Sequence, residues 1–121
     1  MIVVGGENLI DYVQISEEDD LPVYRATPGG SCYNVAIAAA RQGQQVSYIT
    51  PISKDSLGKI IASRLEEDGV KVFAPRVKEA TSLAVVSLND RQPSYQFYRA
   101  DTAERKITSR MLNEITPASV K

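Results

Sequence analysis

At 121 residues the chain has room for one domain at most, and its 43% apolar and 24% charged content is that of an ordinary globular protein. Fourteen Lys+Arg against fifteen Asp+Glu give a formal charge of −1, which argues against a nucleic-acid partner, because phosphate contacts need a basic surplus on one face. Histidine is absent, which excludes imidazole acid–base chemistry, Ser-His-Asp and Cys-His pairs and His-ligated zinc, while one cysteine leaves no internal disulfide and suits a reducing, cytoplasmic setting.

In chain order, Ile2 to Val4 is a short apolar run halted by Gly5-Gly6, the pattern of a buried strand and a tight turn. Leu9 to Ile15 is a weaker strand, and the acidic run Glu17 to Asp20 reads as a solvated turn from which Val23 to Thr27 returns. Val35 to Arg41 is Ala-rich and helical, with Gly43 suited to its C′ position. Val46 to Thr50 is the next buried strand. Asp55 opens an amphipathic helix with Leu57, Ile60, Ile61, Arg64 and Leu65 on one face, ended by Gly69. Val70 to Phe73, Ser82 to Leu88 and Ser94 to Arg99 then follow as consecutive strands, which predicts an antiparallel meander, with a turn at Asn89 to Pro93. Thr108 caps a last helix reaching Ile115, and Pro117 stops it. No apolar run approaches the roughly 20 residues of a membrane helix, and the N-terminus lacks the basic flank of a signal peptide, so no membrane partner is expected.

The most informative segment is Gly29-Gly30-x-x-x-Asn34 at the head of the Ala-rich helix. Two glycines let backbone approach a ligand closely, and Asn34 offers a donor and an acceptor, which suits a polyol better than a phosphate. The same residues also suit a plain loop with an Asn cap. The segment is neither a P-loop nor a GxGxxG motif.

Taken in order, Met1 to Asp11, Gly29-Gly30-x-x-x-Asn34-Val35-Ala36, Arg41-Gln42-Gly43, Ser53 to Gly58 and Leu65 to Val70 resemble the N-terminal part of ribokinase-like (PfkB-type) carbohydrate kinases. Thr81 to Ala84 and Phe97-Tyr98-Arg99 are similar to lid strands of the fructokinase and 2-keto-3-deoxygluconate kinase branch. Cys32 and Ser53 depart from the family's usual small residue and glycine. The resemblance implies an α/β chain forming the N-terminal portion of a three-layer fold with a separate small β-sheet lid. Its core segments are expected at about 1–10, 28–69 and 100–121, and its lid segments at about 11–27 and 70–99, of one incomplete domain.

The resemblance also implies roles. Asp11 would accept hydrogen bonds from sugar hydroxyls; Gly29, Gly30 and Asn34 would line the sugar site, beside Ser31 at a position that varies with substrate. Tyr95, Phe97 and Arg99 share one face of their strand by period 2, and Phe97 with Arg99 would suit a sugar acid, with Arg105 a lesser candidate. Cys32 reads as structural. The family's catalytic Gly-x-Gly-Asp does not occur in the sequence, so catalytic, ATP and Mg²⁺ contacts are expected in the remainder of a kinase chain, with no cofactor or metal on this chain alone. The expected partners are a sugar, that remainder and a second copy through the lid. The 121 residues alone are expected to be inactive and poorly suited to a monomer, with too few core strands. Two other readings remain: a non-catalytic carbohydrate-binding or dimerisation module, and a nucleoside kinase of the same fold.

Overall fold

A computed structural model describes residues 1–89 and 92–114. The strands are β1 (Ile2–Val4), β2 (Leu9–Glu18), β3 (Leu21–Gly29), β4 (Val46–Tyr48), β5 (Ile52–Ser53), β6 (Lys71–Val72), β7 (Arg76–Val77), β8 (Leu83–Asn89) and β9 (Gln92–Tyr98). The helices are α1 (Ser31–Arg41), α2 (Ser56–Glu67) and α3 (Ser109–Glu114), with a 3₁₀ turn at Ala103–Lys106.

Two bodies of sheet result. A parallel sheet of order β1-β4-β6 carries α1 and α2, and a small parallel pair β5-β7 extends this part. The other body is a separate four-stranded sheet of order β3-β2-β8-β9. Ile10, Tyr48, Ile52, Ile61 and Leu65 are wholly buried in one core with Val4, Tyr33, Ala36 and Val46, while Tyr12 and Leu83 of the four-stranded sheet pack on its margin. Arg41 Nε donates to Asp68 at 3.0 Å, tying α1 to the end of α2.

The elements end where local chemistry requires. Gly43 at φ 87° and Gly69 at φ 81° take the left-handed position after α1 and α2, as the sequence predicts. The acidic run closes a hairpin: Asp19 and Asp20 both adopt left-handed φ, 52° and 62°, between Glu18 and Leu21, which face each other. Pro93 sits in β9, an edge strand, where a missing N–H costs no ladder bond.

Three expectations need correction. The segment Val70 to Phe73 is not part of the separate sheet: Ser47 and Tyr48 of β4 pair in parallel with Lys71 and Val72, giving the core a third strand. The helix α2 returns the chain beside β4, so its next strand adds to that sheet. The consecutive strands also form no three-stranded meander. Only β8 and β9 pair antiparallel, and β8 runs parallel to β2, far earlier in the chain. Helix α1 starts at Ser31, four residues before the Ala-rich stretch, because the positive φ of Gly30, 110°, turns the chain directly into it. The expected turn residues Asp90 and Arg91, and Ile115 and Pro117 of the last helix, lie outside the described residues.

Asp55 joins the two parts of the structure. Its Oδ1 accepts the Gly58 N–H at 2.8 Å as the cap of α2, and its Oδ2 accepts the Thr81 N–H at 2.9 Å just before β8. Burial acts to raise its pKa, but the bonds from Thr81, Gly58 and Ser53 outweigh it and hold the carboxyl below its ordinary 3.8. A carboxyl with a depressed folded pKa stabilises the fold above its unfolded pKa and loses that contribution as pH falls through the folded value. Asp55→Ala is expected to cost about 1–3 kcal/mol in urea unfolding at neutral pH. The gap from the parent should shrink below about pH 4.

Candidate functional site

The separate sheet gathers part of the predicted site. Register pairs Asp11 with Thr27 on β3 and with Ala84 on β8, and Ala84 with Phe97 on β9. Directly paired residues point to the same side, so Asp11 and Phe97 share one face of the sheet, roughly 10 Å apart across one intervening strand. Val13, Val86 and Tyr95 form the next row on that face. The face is open: Phe97 is 57% and Tyr95 60% exposed.

Glycines shape the space around Asp11. Gly29 lies at the end of β3 against the Asp11 carboxylate, so a Cβ there would strike Oδ2. Gly30 at φ 110° sits against the Glu7 carbonyl, where a Cβ would come within 2.9 Å. Asp11, Gly29, Gly30 and Glu7 thus meet where β2 and β3 join the core. Burial first, and the charge of Glu7 second, hold the Asp11 pKa above its ordinary 3.8. Nearby, Asn8 Nδ2 donates to Tyr48 Oη at 3.0 Å and to the Pro51 carbonyl at 3.2 Å, and burial pushes the Tyr48 phenol up to about 12.

The other predicted residues are dispersed. Ser31, the first residue of α1, donates its N–H to Glu7 Oε1 at 3.2 Å, and its hydroxyl is exposed. Asn34 is exposed and lines a cavity of about 320 Å³ between α1 and α2, with Tyr33, Arg41 and Arg64. The half-buried thiol of Cys32 lies against Gly6.

Arg99 departs most from expectation. Two carboxylates of the chain already hold it. Its Nη2 donates to Glu7 Oε2, and its Nε donates to Glu104 Oε1 at 3.2 Å, with its guanidinium 5.8 Å from the Phe97 ring centre. Burial disfavours its charge, but the bonds and charges of Glu104 and Glu7 prevail and raise its pKa above the ordinary guanidinium value. Glu7 and Glu104 were not among the residues predicted from sequence. Glu104 sits in a polar 3₁₀ turn with no periodic pattern to mark it as buried, and Glu7 carried weight only as one letter of a longer motif. Arg105 is exposed and lines a cavity of about 180 Å³ with Glu7, Arg99 and Glu104.

The family model for pfkB family carbohydrate kinases matches residues 1–118. The chain belongs to this family. Among relatives, it is 34% identical over 121 residues to fructokinase-1 of Oryza sativa subsp. japonica, covering 93% of this chain and 37% of that protein. Fructokinase-2 of Solanum lycopersicum is 33% identical over 119 residues, covering 93% of this chain and 36% of the relative. In structure the chain resembles a fructokinase with bound ATP from Xylella fastidiosa, at TM-score 0.84 and 28% identity, over 91% of this chain and 36% of that one. An uncharacterized sugar kinase from Pyrococcus horikoshii matches at TM-score 0.76 and 28% identity, over 92% of this chain and 39% of that one. The chain therefore spans somewhat more than a third of the length of these relatives.

The raised pKa of Asp11 has a thermodynamic consequence. Its charged form is less favourable folded than unfolded, so its ionisation costs stability as pH rises through the folded value. Asp11→Asn is expected to raise the thermal midpoint at neutral pH, and the gain should vanish in acid, where the native carboxyl is protonated. Thermal unfolding followed by circular dichroism across pH measures both.

Proposed function

We propose that this chain is the sugar-binding half and lid of an ATP-dependent carbohydrate kinase. The four-stranded sheet is the lid, and Asp11 is the residue that takes sugar hydroxyls. The observation that carries this reading is the site at the base of the sheet. Asp11 is held between Gly29 and Glu7 with Phe97 in its row, in a chain whose family and relatives are carbohydrate kinases. An ionised carboxylate taking two hydroxyls makes charge-assisted bonds, and the aromatic ring covers a carbon face.

The charge at this site favours a neutral sugar. Glu7, Asp11 and Glu104 supply three carboxylates, against two guanidiniums from Arg99 and Arg105. A sugar acid would meet a net negative field, so the substrate is a neutral ketose of the kind named in the fructokinase relatives. ATP belongs to the function as the phosphoryl donor, as the ATP-bound relative suggests. Among the described residues, no group of three or more acidic, cysteine or histidine side chains could hold a metal ion. Mg²⁺, the catalytic base and the nucleotide contacts are proposed for the remainder of a kinase chain, because the Gly-x-Gly-Asp motif does not occur in this sequence. A homodimer through the lid is part of the proposal, supported by the exposure of Val13, Leu88 and Tyr95, which lie outside the row of Asp11 and Phe97. The cytoplasm is the proposed compartment, since one cysteine suits a reducing setting. Among the described residues, no helix is long and apolar enough to cross a membrane.

The test is ATP-dependent phosphorylation by the longer protein, with fructose, ribose, adenosine and 2-keto-3-deoxygluconate offered in parallel. Turnover of a neutral ketose is the expected result; turnover of none would sink the kinase reading. In the active protein, Asp11→Ala should raise KM for the sugar about 10- to 100-fold, because buried bonds to hydroxyls are worth ~1–3 kcal/mol each. Gly29→Ala should raise KM in the same direction by displacing the Asp11 carboxylate.

A further inference from the structure

Four stretches of chain join the four-stranded sheet to the rest of the molecule: residues 5–8, 30, 78–82 and 99–102. All four meet the same three charged side chains. On the first crossing, the Asn8 N–H donates to Glu104 Oε2 at 3.0 Å. Just past the second, the Ser31 N–H donates to Glu7 Oε1 at 3.2 Å. On the third, the Ser82 hydroxyl donates to Glu104 Oε1. On the fourth, Arg99 reaches back to both carboxylates, with Nη2 on Glu7 and Nε on Glu104 at 3.2 Å. Glu104 is 5% exposed, so its charge cannot be left without these partners.

We propose that Glu7, Arg99 and Glu104 form a latch that fixes the angle of the four-stranded sheet to the core, with Arg99 as its positioning residue. Single strands of connecting chain are soft in torsion and would let a sheet of this size rock. A planar guanidinium held by Glu7 on the first crossing and by Glu104 just past the fourth restricts that freedom, because its donors point in fixed directions. The buried carboxylate then carries the constraint to the third crossing through Ser82, and ties the first a second time through Asn8. Lysine could not substitute fully, since a single ammonium on a flexible stem does not present two separated donors in one plane. Neither sugar nor nucleotide enters this inference, so it stands or fails independently of the proposed kinase function.

The test uses the longer kinase chain with its cysteines replaced by serine, carrying spin labels at Glu18 and Glu67 and diluted with unlabelled protein so that only distances within one copy are read. Both positions are exposed, one beside the hairpin tip and one at the end of α2. The expected result is one narrow distance distribution in the parent and a broad one in Arg99→Met and in Glu104→Gln. Amide exchange on the same proteins should show Asn8 exchanging about tenfold faster or more in Arg99→Met, while Tyr48 in the core sheet keeps its rate. An unchanged distance distribution in folded Arg99→Met overturns the latch. So does a uniform acceleration of every amide, which marks a general loss of stability. If Arg99→Met fails to fold, Arg99→Lys takes its place: a broadened distribution supports the latch, and the parent's narrow one overturns it.

Discussion

A single buried carboxylate sets the terms for much of this molecule. Glu104 lies almost wholly out of water, and a charge in that position must be surrounded by donors or it unfolds what encloses it. Its donors are a backbone N–H from the first crossing, a hydroxyl from the third and a guanidinium from the fourth. Segments nearly a hundred residues apart in sequence are thereby required to meet at one point. Hydrophobic burial, which is non-directional, would not specify that meeting. The core of Ile10, Tyr48, Ile52, Ile61 and Leu65 supplies cohesion, and the polar cluster supplies the geometry.

The same economy of space governs the candidate sugar site. Gly29 has no side chain where Asp11 needs room, and Gly30 takes a backbone angle that brings the Glu7 carbonyl close. The resulting pocket floor is short of positive charge and rich in acceptors. Arg99, the cation that sequence pattern offers as a ligand for a sugar acid, is consumed by the chain's own carboxylates.

What could be read from sequence follows from the range of the forces involved. Helix ends at Gly43 and Gly69 and the cap at Asp55 are local, set by backbone angles and neighbours within a turn, and they were legible. The first strand was legible as an apolar run halted by glycines, and Asp11, Gly29 and Gly30 were named together only through a family resemblance. The membership of Lys71–Val72 was not, because a two-residue strand has no periodicity and its partner is decided by where α2 deposits the chain. The parallel pairing of β2 with β8 was equally hidden, since nothing in either strand names a partner more than sixty residues away. Glu7 and Glu104 were missed for the same reason: an acidic residue in a polar stretch looks solvated until distant chain closes over it.

The hairpin that ends in Asp19 and Asp20 has a bearing on how copies of this chain could meet. Glu17, Glu18, Asp19 and Asp20 place four exposed carboxylates at one end of the four-stranded sheet, while its apolar residues lie along the open face below. Two such sheets laid face to face with their tips together would bring eight like charges into one small volume. Coulomb repulsion at that spacing opposes the contact the apolar residues favour, and salt only partly screens it. Any arrangement that satisfies both keeps the two acidic tips apart. In a dimer through this face, a short charged turn would therefore act against pairing with the tips together.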